Sequence, residues 1–135
     1  MARRPVRRGD ALSSAPALAQ LAPRGVLRAG MNLTNTLFAR QDAASGELRG
    51  VGVDVMRELA ARLGVPLELV VHATPGDVAD AASADTWDAT ILAIEPARAQ
   101  AIAFSPPLSE IEATYAVRRE APWRDAAEVD APGGR

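Results

Sequence analysis

The sequence predicts an α/β protein with a parallel-rich sheet flanked by helices. Two observations support this prediction: short apolar runs typical of buried strands alternate with segments of helical periodicity, and glycine or proline separates them. Strands that alternate with helices in this way indicate right-handed βαβ units. In such sheets ligands bind outside the carboxyl ends of the strands. A binding site is therefore expected in the loops that follow the strands.

The first half of the chain contains a strand, a turn and a helix. "GVLRAG" (25–30) predicts the first strand, and the Asp-Ala-Ala-Ser-Gly run at 42–46 has the composition of a turn. "VDVMRELAARLG" (53–64) has apolar residues at helical spacing, with Asp54 near its start and Gly64 at its end. This segment is the clearest helix in the sequence.

The second half continues the alternation. "PLELVV" (66–71) predicts a strand buried on both faces, followed by a helix near 76–84. "DATILAI" (88–94) predicts a third strand, and Pro96 suits the first residue of a third helix. "IEATYAVR" (111–118) alternates enough to predict a fourth strand.

Composition excludes several classes of function. The 135 residues suffice for one domain, the net charge is −2, and every basic residue is arginine, which indicates a GC-rich and bacterial genome. A mildly acidic body gives no reason to expect nucleic-acid binding. Cysteine is absent and His72 is the single histidine, so neither a thiolate nor a multi-histidine metal site can form. No cofactor, metal, catalytic residue or membrane span is predicted.

The chain is expected to divide into three parts. Residues 1–20 are interpreted as a flexible leader, 21–120 as the folded domain, and 121–135 as a weak tail. The Ala-Leu-Ala run at 17–19 resembles a signal-peptide cleavage site, but an apolar segment does not precede it. This start is therefore expected to direct export poorly.

Arg98 is the strongest candidate for a ligand contact. With Pro96 as the first residue of a helix, Arg98 is the third, beside backbone N–H groups that lack partners at a helix start. A guanidinium and free amides together suit a carboxylate. The alternative is a surface ion pair between Arg98 and Glu95, worth only about 0.3–0.5 kcal/mol.

Four stretches in order, "GVLRAGMN", "GELRGVGVDVMRELAARLG", "WDATILAIEPARAQAIAFSPP" and "ATYAVRRE", resemble the bacterial solute-binding proteins of family 3. This resemblance implies two α/β lobes of the type II periplasmic-binding-protein fold, with a ligand bound between them by hinge closure. It also implies a periplasmic component of an ABC-type uptake system for amino acids or related small polar solutes, with an ABC permease as partner. The cytoplasm is the alternative compartment, because the start lacks an apolar segment.

The resemblance also suggests particular ligand contacts. Arg98 matches the residue that holds a ligand carboxylate, and Asn32 matches the polar residue that faces the ligand's amine. Asn35 and Phe38 lie in the loop that usually supplies an aromatic wall, although Phe38 could instead anchor this loop in the core. Ala93 lies where the family usually has a hydroxyl side chain in the ligand-lining segment.

Several departures from the family pattern limit this reading. Glu95 stands where threonine is usual, so it could neutralise Arg98 or favour a ligand with a cationic group. The family is also much longer than this chain, which is expected to hold the first lobe only and to lack the second. A binding protein, not an enzyme, is the main expectation. The alternatives are a fragment similar to the cyclohexadienyl dehydratases, which act on prephenate-like acids, and a truncated remnant without function.

Overall fold

The computed structural model describes residues 15–112 and 114–130. The regular elements, in chain order, are helix α1 (Ala15–Leu21), strands β1 (Leu27–Asn32), β2 (Arg40–Gln41) and β3 (Leu48–Arg49), helix α2 (Val51–Leu63), strand β4 (Leu67–His72), helix α3 (Pro75–Asp80), strand β5 (Ala89–Thr90) and helix α4 (Ala126–Val129), with 3₁₀ turns at Ala81–Ala84 and Arg98–Gln100. The chain forms two compact units, which meet in sequence between Phe104 and Ser105. No helix of the described residues is both long and apolar enough to cross a membrane.

The main sheet has the order β4-β1-β5, and both pairings are parallel. Strand β1 lies at the centre, which explains why five of its six residues are buried. Strands β2 and β3 form a separate antiparallel hairpin. The predicted α/β class with a parallel sheet is confirmed.

One face of the sheet packs against α2, the helix predicted from 53–64. Gly64 ends this helix in the left-handed conformation, with φ of 71°, as expected of a glycine stop. Alternate residues of β1 point towards the helix because side chains alternate along a strand. The buried side chains of this layer are Leu27, Ala29, Met31, Val53, Met56, Ala60 and Leu63.

The opposite face of β1 is covered by Trp87. The indole N–H of Trp87 donates to the carbonyl of Val78 in α3 at 2.9 Å. A Cβ added at Gly30 would lie 2.9 Å from Cγ of Trp87, so only glycine lets the ring approach this closely. Trp87 therefore packs the second predicted helix against the sheet.

A buried ion-pair network joins β1 to the segment before β5. Arg28 in β1 is only 7% exposed. Its guanidinium donates to both carboxylate oxygens of Asp88, at 2.6 and 3.0 Å, and to the Asp85 carboxylate at 2.8 Å. The backbone N–H of Arg28 also donates to Asp88, at 2.9 Å. A buried arginine requires such partners, because an unpaired charge in the interior is costly.

This network changes the acidity of its members. Burial alone would raise the pKa of Asp88. The side-chain and backbone hydrogen bonds from Arg28 lower this pKa by more, so it lies below the ordinary 3.8. The side-chain hydrogen bond from Arg28, together with the charge of Arg24, holds the pKa of Asp85 below its usual value. The same hydrogen bonds raise the pKa of Arg28. All three groups are therefore ionised at neutral pH.

Two predicted strands are corrected by the structure. The run at 88–94 forms a strand only at Ala89–Thr90, and the described residues of 111–118, all except 113, contain no strand. Apolar runs become strands only where a neighbour accepts their backbone hydrogen bonds. Ile94, Ile111 and Val117 are instead exposed.

The end of the segment interpreted as a leader is helical. Helix α1 begins at Ala15, and its Ala17, Leu18 and Leu21 pack against a core cluster that contains Leu27. Residues 1–14 and 131–135 lie outside the described residues. The domain boundaries at 20 and 120 stay predictions.

Replacing Asp88 should destabilise the protein. Asp88→Ala leaves the buried charge of Arg28 without its main partner and should lower the free energy of unfolding by on the order of 3 kcal/mol. A carboxylate with a lowered pKa contributes stability above its unfolded value of 3.8, and this contribution is lost as the pH falls through the folded value. Urea unfolding between pH 6 and pH 2 should therefore show that the free energy of unfolding falls less steeply with acid in Asp88→Asn than in the wild type. Asp80→Asn, which changes an exposed carboxylate, is the control and should behave as the wild type does. If the free energy of unfolding falls equally with acid in the wild type, Asp88→Asn and Asp80→Asn, the role assigned to Asp88 is contradicted.

Candidate functional site

The candidate site lies at the carboxyl edge of the main sheet. Because β1, β4 and β5 run parallel, the loops that follow them leave from the same edge. The loops after β1 (33–39) and after β5 (91–97) are adjacent because their strands pair, with Gly30 opposite Thr90. The predicted contacts lie in or beside these two loops.

Arg98 is held on the β5 side of this edge. One guanidinium nitrogen, Nη1, donates to the carbonyl of Ala93 at 3.2 Å and lies 3.2 Å from a carboxylate oxygen of Glu95. The Arg98 side chain is only 18% exposed. Within the described residues, its Nε and Nη2 atoms have no hydrogen-bond partner. Nε and Nη2 form the edge of a guanidinium that can bind a carboxylate through two parallel hydrogen bonds.

The helix predicted to begin at Pro96 does not form. Arg98 begins a three-residue 3₁₀ turn that ends before Ala101. Most helical stability comes from packing an apolar face, and every residue of 96–101 except Arg98 is exposed. The expectation of a third helix is therefore wrong, and the guanidinium of Arg98 is the feature of this turn that can attract an anion.

Ala93 contributes through its backbone. Its side chain is exposed, and its carbonyl accepts the hydrogen bond that orients Arg98. The structure brings these two predicted residues together. A direct contact between Ala93 and a ligand stays a prediction.

In the loop after β1, the asparagine side chains form hydrogen bonds within the loop. The amide oxygen of Asn32 accepts hydrogen bonds from the backbone and hydroxyl of Thr34, at 3.3 and 2.8 Å. The amide oxygen of Asn35 accepts from the backbone of Leu37 at 3.1 Å. Such bonds are typical of turn-forming asparagines. Both oxygens are thus engaged within the loop, and ligand contacts by Asn32 or Asn35 stay predictions that would use their amide N–H groups.

Phe38 connects the loop to helix α2. Its carbonyl accepts the backbone N–H of Gly52 at 2.9 Å, next to the bond from Val51 to Leu37 at 3.1 Å. The Phe38 side chain is half-buried, whereas Ala39 lies in the core and Leu33 packs against it. These bonds engage the first amides of α2, so the loop is fixed at the carboxyl edge.

His72 is a neighbour of the site that the sequence did not indicate. The register of β1 and β4 places it opposite Asn32, at the last residue of each strand. Its Nε2 atom is buried without a hydrogen-bond partner in the described part of the chain. Only the strand register brings it here, since no motif surrounds it in the sequence.

A hollow of about 140 Å³ lies in the second unit, lined in part by Tyr115, Trp123 and Val129. Ligand pockets usually measure at least about 300 Å³, so this hollow is not the candidate site. No group of three or more metal-ligating side chains occurs within 15–112 and 114–130.

A parallel α/β lobe with an arginine at the carboxyl edge of its sheet is the type of scaffold on which small solutes bind. The chain belongs to the bacterial extracellular solute-binding proteins, family 3, whose model matches residues 27–127. No curated protein matches the chain.

Solved structures support the same assignment. A mutant of the arginine-bound form of domain 1 from TmArgBP is 29% identical, with a TM-score of 0.58, and the match covers 67% of this chain and 70% of that one. An ancestral cationic amino acid solute-binding protein is 28% identical, with a TM-score of 0.54 and coverage of 62% and 37%. An ancestral cyclohexadienyl dehydratase is 29% identical, with a TM-score of 0.53 and coverage of 62% and 34%.

The fold is therefore that of the periplasmic binding proteins. The match spans about a third of the ancestral dehydratase and 70% of the isolated TmArgBP domain. The match therefore spans only part of the length of these solved chains, and a second lobe stays a prediction.

The attachment of the loop to α2 depends on Gly50. Its φ of 139° favours glycine, and an added Cβ would lie 2.5 Å from the carbonyl oxygen of Phe38. Gly50→Ala should therefore lower the free energy of unfolding by about 3 kcal/mol or more. Gly64→Ala is the matched control: its φ is also positive but no atom lies within 4 Å, so a loss of about 1 kcal/mol is expected. If urea unfolding gives equal losses of free energy for Gly50→Ala and Gly64→Ala, the close contact with Phe38 is not the reason that position 50 requires glycine.

Proposed function

We propose that this chain binds a small carboxylate-bearing solute, of the amino-acid class, through Arg98 at the carboxyl edge of the sheet. The solute's carboxylate accepts two hydrogen bonds from the Nε and Nη2 atoms of Arg98. Asn32 and Asn35 lie across the edge and contact the rest of the ligand, beside Phe38. The chain acts by binding and not by catalysis.

This proposal rests on the contacts of the Arg98 side chain. It is held on one side by Ala93 and Glu95, at 3.2 Å each, while its other edge has no partner among the described residues. An arginine whose position is fixed in this way loses less conformational entropy when it binds an anion than a free surface arginine does.

The relatives support the ligand class and the setting. The family consists of extracellular solute-binding proteins, and the similar structures include an arginine-bound form and a cationic amino acid binder. We therefore propose that the chain is the substrate-binding component, or part of one, of an ABC-type uptake system outside the cytoplasm, with a permease as its partner. Because the match spans only part of the relatives, a second lobe would supply further contacts.

Ligand binding should stabilise the chain. A ligand at about a hundred times its Kd raises the free energy of unfolding by about 2.7 kcal/mol, and this rise should disappear in Arg98→Ala. Thermal unfolding with L-arginine, L-lysine, L-glutamine, L-glutamate and L-phenylalanine measures the effect.

The control for this experiment is Arg62→Ala. Arg62 also forms an exposed ion pair within one helical turn, with Glu58 at 2.8 Å, but it lies at the end of α2 away from the carboxyl edge. It should keep the full ligand-induced shift. Absence of a shift with every amino acid, or an equal shift in Arg98→Ala, contradicts the proposed site.

A second candidate function is favoured by the similarity to the ancestral cyclohexadienyl dehydratase. If the chain were such an enzyme, Arg98 would bind a carboxylate of a prephenate-like acid and the protein would accelerate its dehydration. We expect no loss of prephenate above the uncatalysed rate, because His72 is the single histidine of the sequence and no nucleophile–base pair is hydrogen-bonded at this edge among the described residues. Ultraviolet absorbance with and without the protein measures the rate, and a clear acceleration that disappears in Arg98→Ala would establish the enzyme instead.

A further inference from the structure

Strand β4 forms an open edge of the main sheet. The sheet has the order β4-β1-β5, so β4 pairs with β1 on one side. Within the described residues, no further strand or loop backbone pairs with its other side. This edge is six residues long, whereas the opposite edge, β5, has only two. An open edge of this length is a template for another strand.

The hydrogen bonds between β1 and β4 show which backbone groups of β4 point outwards. The N–H of Leu27 donates to the carbonyl of Pro66 at 2.9 Å, and the backbone groups of a strand alternate in direction from one residue to the next. The even-numbered residues of β4 therefore bond to β1, whereas Leu67, Leu69 and Val71 direct their N–H and C=O groups away from the sheet. These three residues offer the hydrogen bonds that a further strand would use.

Strand β4 lacks the features that usually protect an open edge. It contains no proline, glycine or lysine, and Glu68 is the single Asp, Glu or Arg in it. Three consecutive apolar residues follow, at 69–71, and Val71 is 49% exposed. A further strand on this edge would satisfy the free backbone groups and also bury apolar surface.

The strand is complementary to a second copy of itself. In an antiparallel pairing about a two-fold axis at Val70, Leu69 of each copy lies opposite Val71 of the other, and the two exchange their outward backbone hydrogen bonds. Glu68 of each copy then lies opposite His72 of the other, on the same face of the sheet. A carboxylate in this position accepts a hydrogen bond from an imidazole N–H.

The side chains favour this register over its neighbours. An axis at Leu69 would place Glu68 opposite Val70, and an axis at Val71 would place His72 opposite Val70. Both registers set a polar side chain against an apolar one. Only the axis at Val70 pairs apolar with apolar residues and the carboxylate with the histidine, and cross-strand pairs of this kind stabilise a sheet.

We infer that this chain forms a two-fold symmetric dimer through β4, in which two three-stranded sheets join into one of six strands. The dimer is closed, because β5 at the opposite edge is too short to extend the sheet in the same way. The inference is independent of the proposed ligand, since the loop that leads to Arg98 follows β5, on the other side of β1.

Sedimentation velocity of the full chain tests whether the dimer forms. Each copy contributes one short strand, so the interface is small and its Kd is expected to be on the order of 10 μM. Raising the protein concentration through this value should convert monomer into dimer and into no larger species.

Val71→Pro removes an N–H group that points away from β1, so the monomer keeps the hydrogen bonds of its own sheet. It should weaken dimerisation by about thirtyfold or more, because the symmetry of the pair doubles the loss to two hydrogen bonds. Val71→Ile is the matched control, since it keeps the N–H and a β-branched side chain, and its Kd should stay within about threefold of the wild type. Urea unfolding confirms that both variants fold.

A cysteine cross-link tests the register without removing a backbone donor. The sequence contains no cysteine, and the proposed axis places the two Cα atoms of residue 70 about 4.5 Å apart, within the range of a disulfide. Under mild oxidation, Val70→Cys should therefore form a covalent dimer at least about tenfold faster than Val51→Cys does. Val51 is the control because it is 53% exposed and lies at the start of α2, away from β4.

Three results would overturn the inference. The first is a monomer at every concentration, which leaves the edge to another protein or to no partner. The second is a dimer that persists in Val71→Pro, or one that cross-links no faster through Val70→Cys than through Val51→Cys, since β4 is then not the interface. The third is assembly beyond the dimer, which contradicts a closed pairing.

Discussion

The buried charge of Arg28 is the constraint on which the rest of this structure depends. A guanidinium in the central strand can be buried only if carboxylates meet it, and Asp88 and Asp85 come from a segment about sixty residues away in sequence. Their hydrogen bonds hold that segment against β1, so β5 begins beside the central strand although it is only two residues long. Without this network, packing of the short strand alone would fix the sheet poorly.

The position of the candidate site follows from that constraint. Since β5 is held parallel to β1, the loops that leave both strands emerge at one edge, and Arg98 follows the loop after β5. The loop itself is fixed by hydrogen bonds from the first amides of α2 to Leu37 and Phe38. Both sides of the site are thus held by backbone bonds, and the side chain of Arg98 supplies the free donors.

Arg98 and Glu95 give the site a charge pattern that differs from a simple anion site. One guanidinium is compensated by one carboxylate at 3.2 Å, so the local net charge is close to zero. An anion that approaches the free edge of Arg98 therefore meets a guanidinium whose charge is already partly compensated.

The sequence by itself determined the α/β class and helix α2, because apolar periodicity and glycine or proline stops act over a few residues. It also predicted a site at the strand ends, with Arg98 as its anchor and Glu95 as a competitor, and this stays a prediction. Only the tertiary structure decided that Arg28 is buried with Asp88 and that His72 lies opposite Asn32. It also decided that the run at 88–94 forms a short strand and that the described residues of 111–118 form none. These outcomes depend on which distant segments become neighbours. A local pattern cannot specify this, because a strand needs a partner for its backbone and a buried charge needs a carboxylate from elsewhere in the chain.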